Sequence, residues 1–162
     1  PKILILFGAG LAGIFLVGIT GSIAALSNML FPSATLAEGL QKDFSDTSHI
    51  LLRLRISHPV VSTLTGAFLA FVAFRFRTKF GGAANLLVNR WANWLMFLVA
   101  FQLGFGLLTL LTGAPILMQL GHLLLADLVW IAFVLLSASF LAEQNEFSAA
   151  KNPVLQTAEK TS

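Results

Sequence analysis

The chain contains no cysteine, and few of its 162 residues are charged. The absence of cysteine excludes disulfide frameworks, thiolate metal sites and covalent attachment of a c-type haem through a cysteine pair. Charged residues make up 10% of the chain, against about 25% in ordinary soluble domains. Together with 57% apolar residues and a mean hydropathy of +0.86, this composition excludes a soluble globular protein and predicts an integral membrane protein.

Four long stretches carry almost no charge, and each is able to cross about 30 Å of hydrocarbon as a helix. They cover residues 3 to 27, 56 to 74, 91 to 112 and 116 to 142. We therefore predict an all-α fold, an integral membrane four-helix bundle formed by residues 1–145. The chain begins at Pro1 rather than Met, which is expected of a processed start or of a piece of a longer protein.

Basic residues are concentrated at the helix ends and indicate the orientation of the bundle. The connector of residues 75–90 holds no acid but several bases: Arg75, Arg77, Lys79 and Arg90. Since short cytoplasmic loops are enriched in Lys and Arg, we expect this connector and both termini to be cytoplasmic, in the cell (inner) membrane. Residues 146–162 are expected to form a polar, disordered cytoplasmic tail. This topology accounts for the net charge of +3 without nucleic-acid binding.

Two of the three histidines, His58 and His122, lie near the beginning of the second and fourth spans. Both spans run inward, so the two imidazoles share one depth, and one ligand is able to bind between them. The alternative is that each histidine is an interfacial anchor, which is the usual role of a lone histidine at this depth. Stripes of small or polar residues mark the outer halves of the first and third spans: Gly18, Gly21, Ser22, Ala25, Gln102, Gly106, Thr109 and Gly113.

Small-residue stripes usually serve close helix packing. Beside two histidines they favour a flat, bulky guest such as a haem, because tightly packed backbones would leave the imidazoles without partners. Arg53 and Arg55 lie just outside the second span, where they are suited to haem propionates, although each alone is equally well explained as a membrane anchor. Zinc is disfavoured, because no further histidine or carboxylate lies three or four residues after His58 or His122.

Three local features complete the sequence-based picture. Pro59 predicts a break at His58, and a short interfacial helix over residues 46–56 is expected to precede it as a lid. Asp127 is rotated away from the face of His122. We expect Asp127 to form an interhelical hydrogen bond with Gln102.

The chain resembles the CtaA-type haem A synthase family over about residues 8–140. The matching segments are residues 18–26 (GITGSIAAL), 30–32 (LFP), 43–45 (DFS), 49–59 (HILLRLRISHP), 102–104 (QLG), 113–115 (GAP) and 122–130 (HLLLADLVW). The resemblance implies a membrane oxidoreductase of haem A biosynthesis, and so of cytochrome oxidase assembly, that oxidises a methyl group of haem O to a formyl group.

The same resemblance implies an eight-helix architecture of two pseudo-symmetric halves, of which this chain matches the carboxy-terminal, cofactor-holding half. It implies that His58 and His122 are the iron ligands of a haem b, with Arg53 or Arg55 near its propionates. In the substrate half the family has a glutamate three residues before the first axial histidine, where this chain has Arg55. Oxidation of the substrate haem O is therefore expected in a second four-helix half or in the partner of a homodimer, and no catalytic residue is assigned here.

Two other functions compete with this interpretation. A b-type electron-transfer cytochrome without a substrate site also uses a histidine pair, but such relays commonly carry two haems, and the three histidines supply one pair. The other alternative is a haem-free membrane scaffold or small transporter, in which the small-residue stripes serve packing alone.

Overall fold

The computed structural model describes the backbone of residues 2–80 and 85–151 and the side chains of residues 3–79 and 85–144. Throughout this part of the chain the regular secondary structure is helical. The helices are α1 (Lys2–Leu30), α2 (Leu36–Asp43), α3 (Ile50–Arg55), α4 (Ser57–Phe80), α5 (Leu86–Leu111) and α6 (Ile116–Lys151).

Four helical segments are long and apolar enough to cross a membrane: Ile3–Leu30, Ile50–Lys79, Leu86–Leu111 and Ile116–Gln144. They confirm the all-α, four-span bundle, and the protein is a multi-pass membrane protein. The last helix continues to Lys151, past residue 146, where a disordered tail was expected. Residues 143–150 contain no glycine or proline, and several of them favour helix. Residues 152–162, the rest of that expected tail, lie outside the described residues.

The spanning helices pack in the order α1, α4, α5, α6, each against the next. Helices α1 and α6 meet mainly through aromatic residues. Phe7 of α1 contacts Phe133 and Phe140 of α6, with ring centres 5.9 and 6.1 Å apart. Gly10, one turn further along α1, allows this approach, since a Cβ there would overlap the ring of Phe133.

Most of the fully buried apolar residues lie at one end of the bundle. They come from the first half of α1, the second half of α4, the first half and centre of α5 and the middle of α6: Phe7, Leu69, Val72, Ala73, Phe76, Val88, Ala92, Leu95, Val99, Val129, Ala132, Phe133, Leu136 and Phe140. We call this the packed end. The other end, which holds residues 31–56 and 112–115, is called the capped end.

At the capped end, α2 and α3 are tied to α1. The Arg55 side chain forms a 2.7 Å ion pair with Asp43 of α2 and donates hydrogen bonds to Asn28 Oδ1 (2.9 Å) and the Gly39 carbonyl (3.1 Å). Helix α3 packs mainly against α1, and Leu52 is buried there. The short helix expected over residues 46–56 is therefore present as Ile50–Arg55, whereas α2 was not predicted.

The chain breaks at Ile56, two residues earlier than the break predicted at His58. Helix α4 begins at Ser57, so Pro59 lies in its first turn. A proline is tolerated there, because the first N–H groups of a helix have no acceptor within that helix. In a continuous helix, the proline ring would clash with the carbonyl of the residue four positions earlier, Arg55. Helix α3 ends at Arg55, so the clash is avoided.

Candidate functional site

The rings of His58 and His122 face each other at the capped end. Their centres are 6.3 Å apart, and the ring planes are nearly perpendicular, at 87°. His58 comes from the first turn of α4 and His122 from the second turn of α6, and both side chains are partly buried. The structure thus brings together the two histidines that the sequence paired.

The spacing of the rings fits one metal ion between them. A metal bound to two imidazoles on opposite sides, with metal–nitrogen distances of about 2 Å, holds the ring centres about 6 Å apart. No cluster of three or more His, Cys, Asp or Glu side chains that could hold a metal occurs in the described residues. The donor set therefore suits a metal whose remaining ligands come from a macrocycle, as in a haem, better than it suits zinc.

Gln102 of α5 contacts His122 across the helix interface. Its amide nitrogen donates to the His122 carbonyl at 3.0 Å and lies 3.4 Å from Nε2 of the ring. Within the described part of the chain, His122 Nδ1 is buried without a hydrogen-bond partner. Buried polar atoms are rarely left in this state, so this nitrogen is a candidate for binding a guest.

The predicted hydrogen bond between Gln102 and Asp127 is not formed; the Gln102 amide bonds to His122 instead. Asp127 is exposed on the surface of α6. Five residues separate it from His122, which rotates it by about 140° around the helix. A side chain that reaches His122 from α5 consequently does not face Asp127.

Two of the glycines in the predicted stripes make room for the histidine rings. A Cβ at Gly21 would lie 3.1 Å from Cε1 of His58, and a Cβ at Gly106 would lie 2.7 Å from Cε1 of His122. Gly66 of α4, outside the stripes, packs against Leu103 of α5. Of the stripe glycines, Gly21 and Gly106 therefore make room for the rings, whereas a Cβ at Gly18 or Gly113 would meet nothing within 4 Å.

Thr20, beside Gly21 in α1, is a contact of the site that sequence reasoning missed. Its hydroxyl oxygen lies 3.2 Å from Nδ1 of His58. The available signal was the polar residue beside a glycine in an apolar span, but threonine in a helix commonly bonds only to its own backbone.

Arg53 and Arg55 are both bonded within the cap. Arg53 is exposed and donates to Ser48 Oγ at 2.9 Å and to the Asp46 carbonyl at 3.1 Å. Arg55 is held by the partners described above, and its side chain is 12% exposed. The predicted contacts to propionates therefore have to compete with these bonds, more severely at Arg55 than at Arg53.

The third histidine, His49, is a helix cap. Its Nδ1 accepts a 3.2 Å hydrogen bond from the backbone N–H of Leu51 in α3. Its ring lies against Phe31, with centres 5.2 Å apart. His49 is thus distinguished from the facing pair by its local contacts.

Comparison with known proteins identifies the family. Residues 2–134 match the model of the COX15-CtaA family, described as cytochrome oxidase assembly protein. Two curated proteins named protoheme IX farnesyltransferase, from two strains of Thermus thermophilus, are 35% and 34% identical over 136 residues. In both comparisons the match covers 82% of this chain but 21% of the relative, so the chain spans about a fifth of their length. No solved structure matches significantly. Because the family model covers most of the sequence, this chain belongs to the COX15-CtaA family of cytochrome oxidase assembly proteins.

Proposed function

We propose that this four-helix unit binds a haem b through His58 and His122 and serves the synthesis of haem A, in which a methyl group of haem O is oxidised to a formyl group. The observation that carries the proposal is the 6.3 Å spacing of the two rings at the capped end. Family membership supports the assembly role. The Thermus relatives carry the name of an enzyme that acts on protoheme IX, which supports a haem as the ligand class.

The residues of this chain have separate roles in the proposal. His58 and His122 hold the iron from two helices, and the bound haem supplies one-electron redox chemistry. Gly21 and Gly106 keep the adjacent backbone clear of the rings. Arg53, which is exposed and bonded to a hydroxyl and carbonyls, is the better candidate for a propionate partner. Arg55 already forms an ion pair with the buried carboxylate of Asp43, so it is less available to a propionate.

Oxidation of haem O is proposed to take place in a second four-helix unit, supplied by a longer chain or by a second copy. The connector of residues 75–90 and both chain ends are proposed to lie on the cytoplasmic side of the inner membrane, because that connector is strongly basic. The capped end, with the histidine pair, then faces the other side.

Haem binding is tested by the absorption spectrum of the chain, purified in lipid nanodiscs after expression with added haem precursor. We expect a Soret band that is lost in His58→Ala and in His122→Ala. His49→Asn is the matched control, because asparagine also caps a helix, and it should keep the band. A colourless wild-type protein, or a band that survives both alanine substitutions, would contradict the proposal.

The synthase role is tested separately, in membranes that contain the protein together with its second four-helix unit. When haem O is supplied, mass spectrometry should detect hydroxylated and formylated haem. A protein that binds haem but yields neither product would support the electron-transfer alternative and exclude the synthase.

A further inference from the structure

Thr20 approaches His58 through a hydroxyl that already has a backbone acceptor. Its Oγ1 lies 3.0 Å from the Leu16 carbonyl and 3.2 Å from the Val17 carbonyl, with donor geometry to both. The distance from the same oxygen to Nδ1 of His58 is 3.2 Å. The hydroxyl therefore has two kinds of neighbour, carbonyl oxygens that only accept and a ring nitrogen that is able to donate.

A hydroxyl has a single proton, and this constrains the ring. Threonine in a helix commonly donates that proton to the carbonyl three or four residues earlier. With its proton donated to the Leu16 or Val17 carbonyl, the Thr20 oxygen is able only to accept from His58, so Nδ1 of the neutral ring must carry the ring proton. The Val17 carbonyl also interacts with the His58 side chain, and as an acceptor it too favours a protonated ring nitrogen. Nε2 of the neutral ring is then unprotonated, with a lone pair available for a metal.

We propose that Thr20 is a positioning residue that holds His58 in the Nδ1-protonated tautomer and so presents Nε2 as the ligand atom. The ring also lies against Gly21, where a Cβ would be 3.1 Å from Cε1, so the approach of α1 restricts its movement. A hydrogen bond from the second ring nitrogen of a ligating histidine fixes the ring and makes the ligand more basic. The effect on a bound iron rests on the proposed haem binding. The tautomer of His58 is a property of the haem-free chain and does not depend on it.

His122 provides an internal comparison. Its Nδ1 has no hydrogen-bond partner within the described residues, and its contact with Gln102 runs through Nε2 and the backbone carbonyl. Replacing Thr20 is therefore expected to affect the tautomer of one histidine of the pair and not that of the other.

The tautomer is measured by nitrogen NMR on the haem-free chain labelled with ¹⁵N-histidine in lipid nanodiscs, at a pH where the rings are neutral. The signals are assigned with His49→Asn and His122→Gln. We expect His58 to be protonated at Nδ1 in the wild type and in Thr20→Ser, and to shift toward the Nε2-protonated form in Thr20→Val, a substitution of nearly equal shape. Thr112→Val is the control, because the Thr112 hydroxyl bonds only to carbonyls near its own helix end.

A wild-type His58 protonated at Nε2, or a Thr20→Val protein with an unchanged tautomer, would overturn the proposal. Circular dichroism shows whether each variant is folded, and Thr20→Ala is the second hydroxyl-free variant, with the same expected shift, if the valine variant does not fold. In the haem-loaded protein, Thr20→Val should give a more positive midpoint potential than the wild type, because a less basic ligand stabilises ferric iron less. A wild type without haem removes the proposed function but leaves the tautomer test intact. If the haem-loaded wild type and the haem-loaded Thr20→Val variant have the same midpoint potential, Thr20 does not tune the metal.

Discussion

Gly106 of α5 lies against the ring of His122 of α6, so close that a Cβ on the glycine would be 2.7 Å from the ring carbon Cε1. Real Cβ atoms are essentially never found at this distance from another heavy atom. One of the two facing helices, or the imidazole itself, must move if a methyl group is added. The position of the ring therefore depends on the absence of a side chain on the neighbouring helix.

Gly106→Ala is predicted to abolish most haem binding without unfolding the bundle. The added methyl group displaces His122, whereas the packed end, which holds the buried apolar core, is not touched. The Soret absorbance per protein, measured in nanodiscs, checks this. Gly104→Ala is the matched control, because nothing lies within 4 Å of a Cβ at that position. Equal haem content in the two variants would contradict the prediction.

Gln102→Leu is predicted to weaken haem binding by about tenfold, the lower end of the range for residues that support metal ligands. The substitution removes the amide that donates to the His122 carbonyl at 3.0 Å and leaves the ring freer to move. Haem titration followed by absorption provides the measurement. Gln119→Leu serves as the control, since it also removes an amide bond to a carbonyl, that of Ala114, and no hydrogen bond joins Gln119 to either ring in the described part of the chain. Unaltered affinity in Gln102→Leu would show that the amide does not hold His122.

Arg55→Leu is predicted to destabilise the protein by about 3 kcal/mol, because it leaves the carboxylate of Asp43 buried without its partner. The two side chains are 12% and 6% exposed. Lys42→Met breaks the 2.7 Å ion pair with Glu38, in which the Lys42 and Glu38 side chains are 39% and 41% exposed. This substitution should lower the free energy of unfolding by less than about 1 kcal/mol. Denaturant unfolding in detergent measures both. Similar losses of stability would show that burial does not distinguish the two ion pairs.

Acidification is predicted to loosen the beginning of α2. The hydrogen bond from Lys42 lowers the pKa of Glu38 below its ordinary value of 4.5, and the backbone N–H of Ala34 lowers it further. A lowered folded-state pKa means that this contribution to stability is present above pH 4.5 and is lost as the pH falls through the folded-state value. Amide hydrogen exchange of Ala34 and α2 against pH checks it. In Glu38→Gln, the increase in exchange at low pH should be absent. If the increase persists in that variant, it comes from another group.

The four spans and the pairing of His58 with His122 were predictable, because long apolar runs mark the spans and the second and fourth of four consecutive spans run in the same direction. The cap was harder to predict. Helix α2 is short and carries polar residues such as Glu38 and Lys42, so it resembles a loop. The ion pair between Asp43 and Arg55 joins α2 to the end of α3, and its formation depends on how the two short helices turn.

The partner of Gln102 was mispredicted because depth alone does not choose between side chains on a facing helix. Helix rotation decides, and it favours His122 over Asp127. A similar difficulty applies to the glycines. Gly18 and Gly21 belong to one sequence pattern, yet only Gly21 faces a ring. Which glycine faces the ring depends on how α1 is rotated and positioned against α4, and neither composition nor spacing predicts this.

The buried apolar core at the packed end has a consequence for what holds the bundle together. Its aromatic and aliphatic contacts among α1, α4, α5 and α6 involve neither histidine. Packing of the helices at the packed end therefore does not depend on a group bound between the histidines. Under the proposed function, a haem would bind at the capped end of a bundle whose packed end is held together without it.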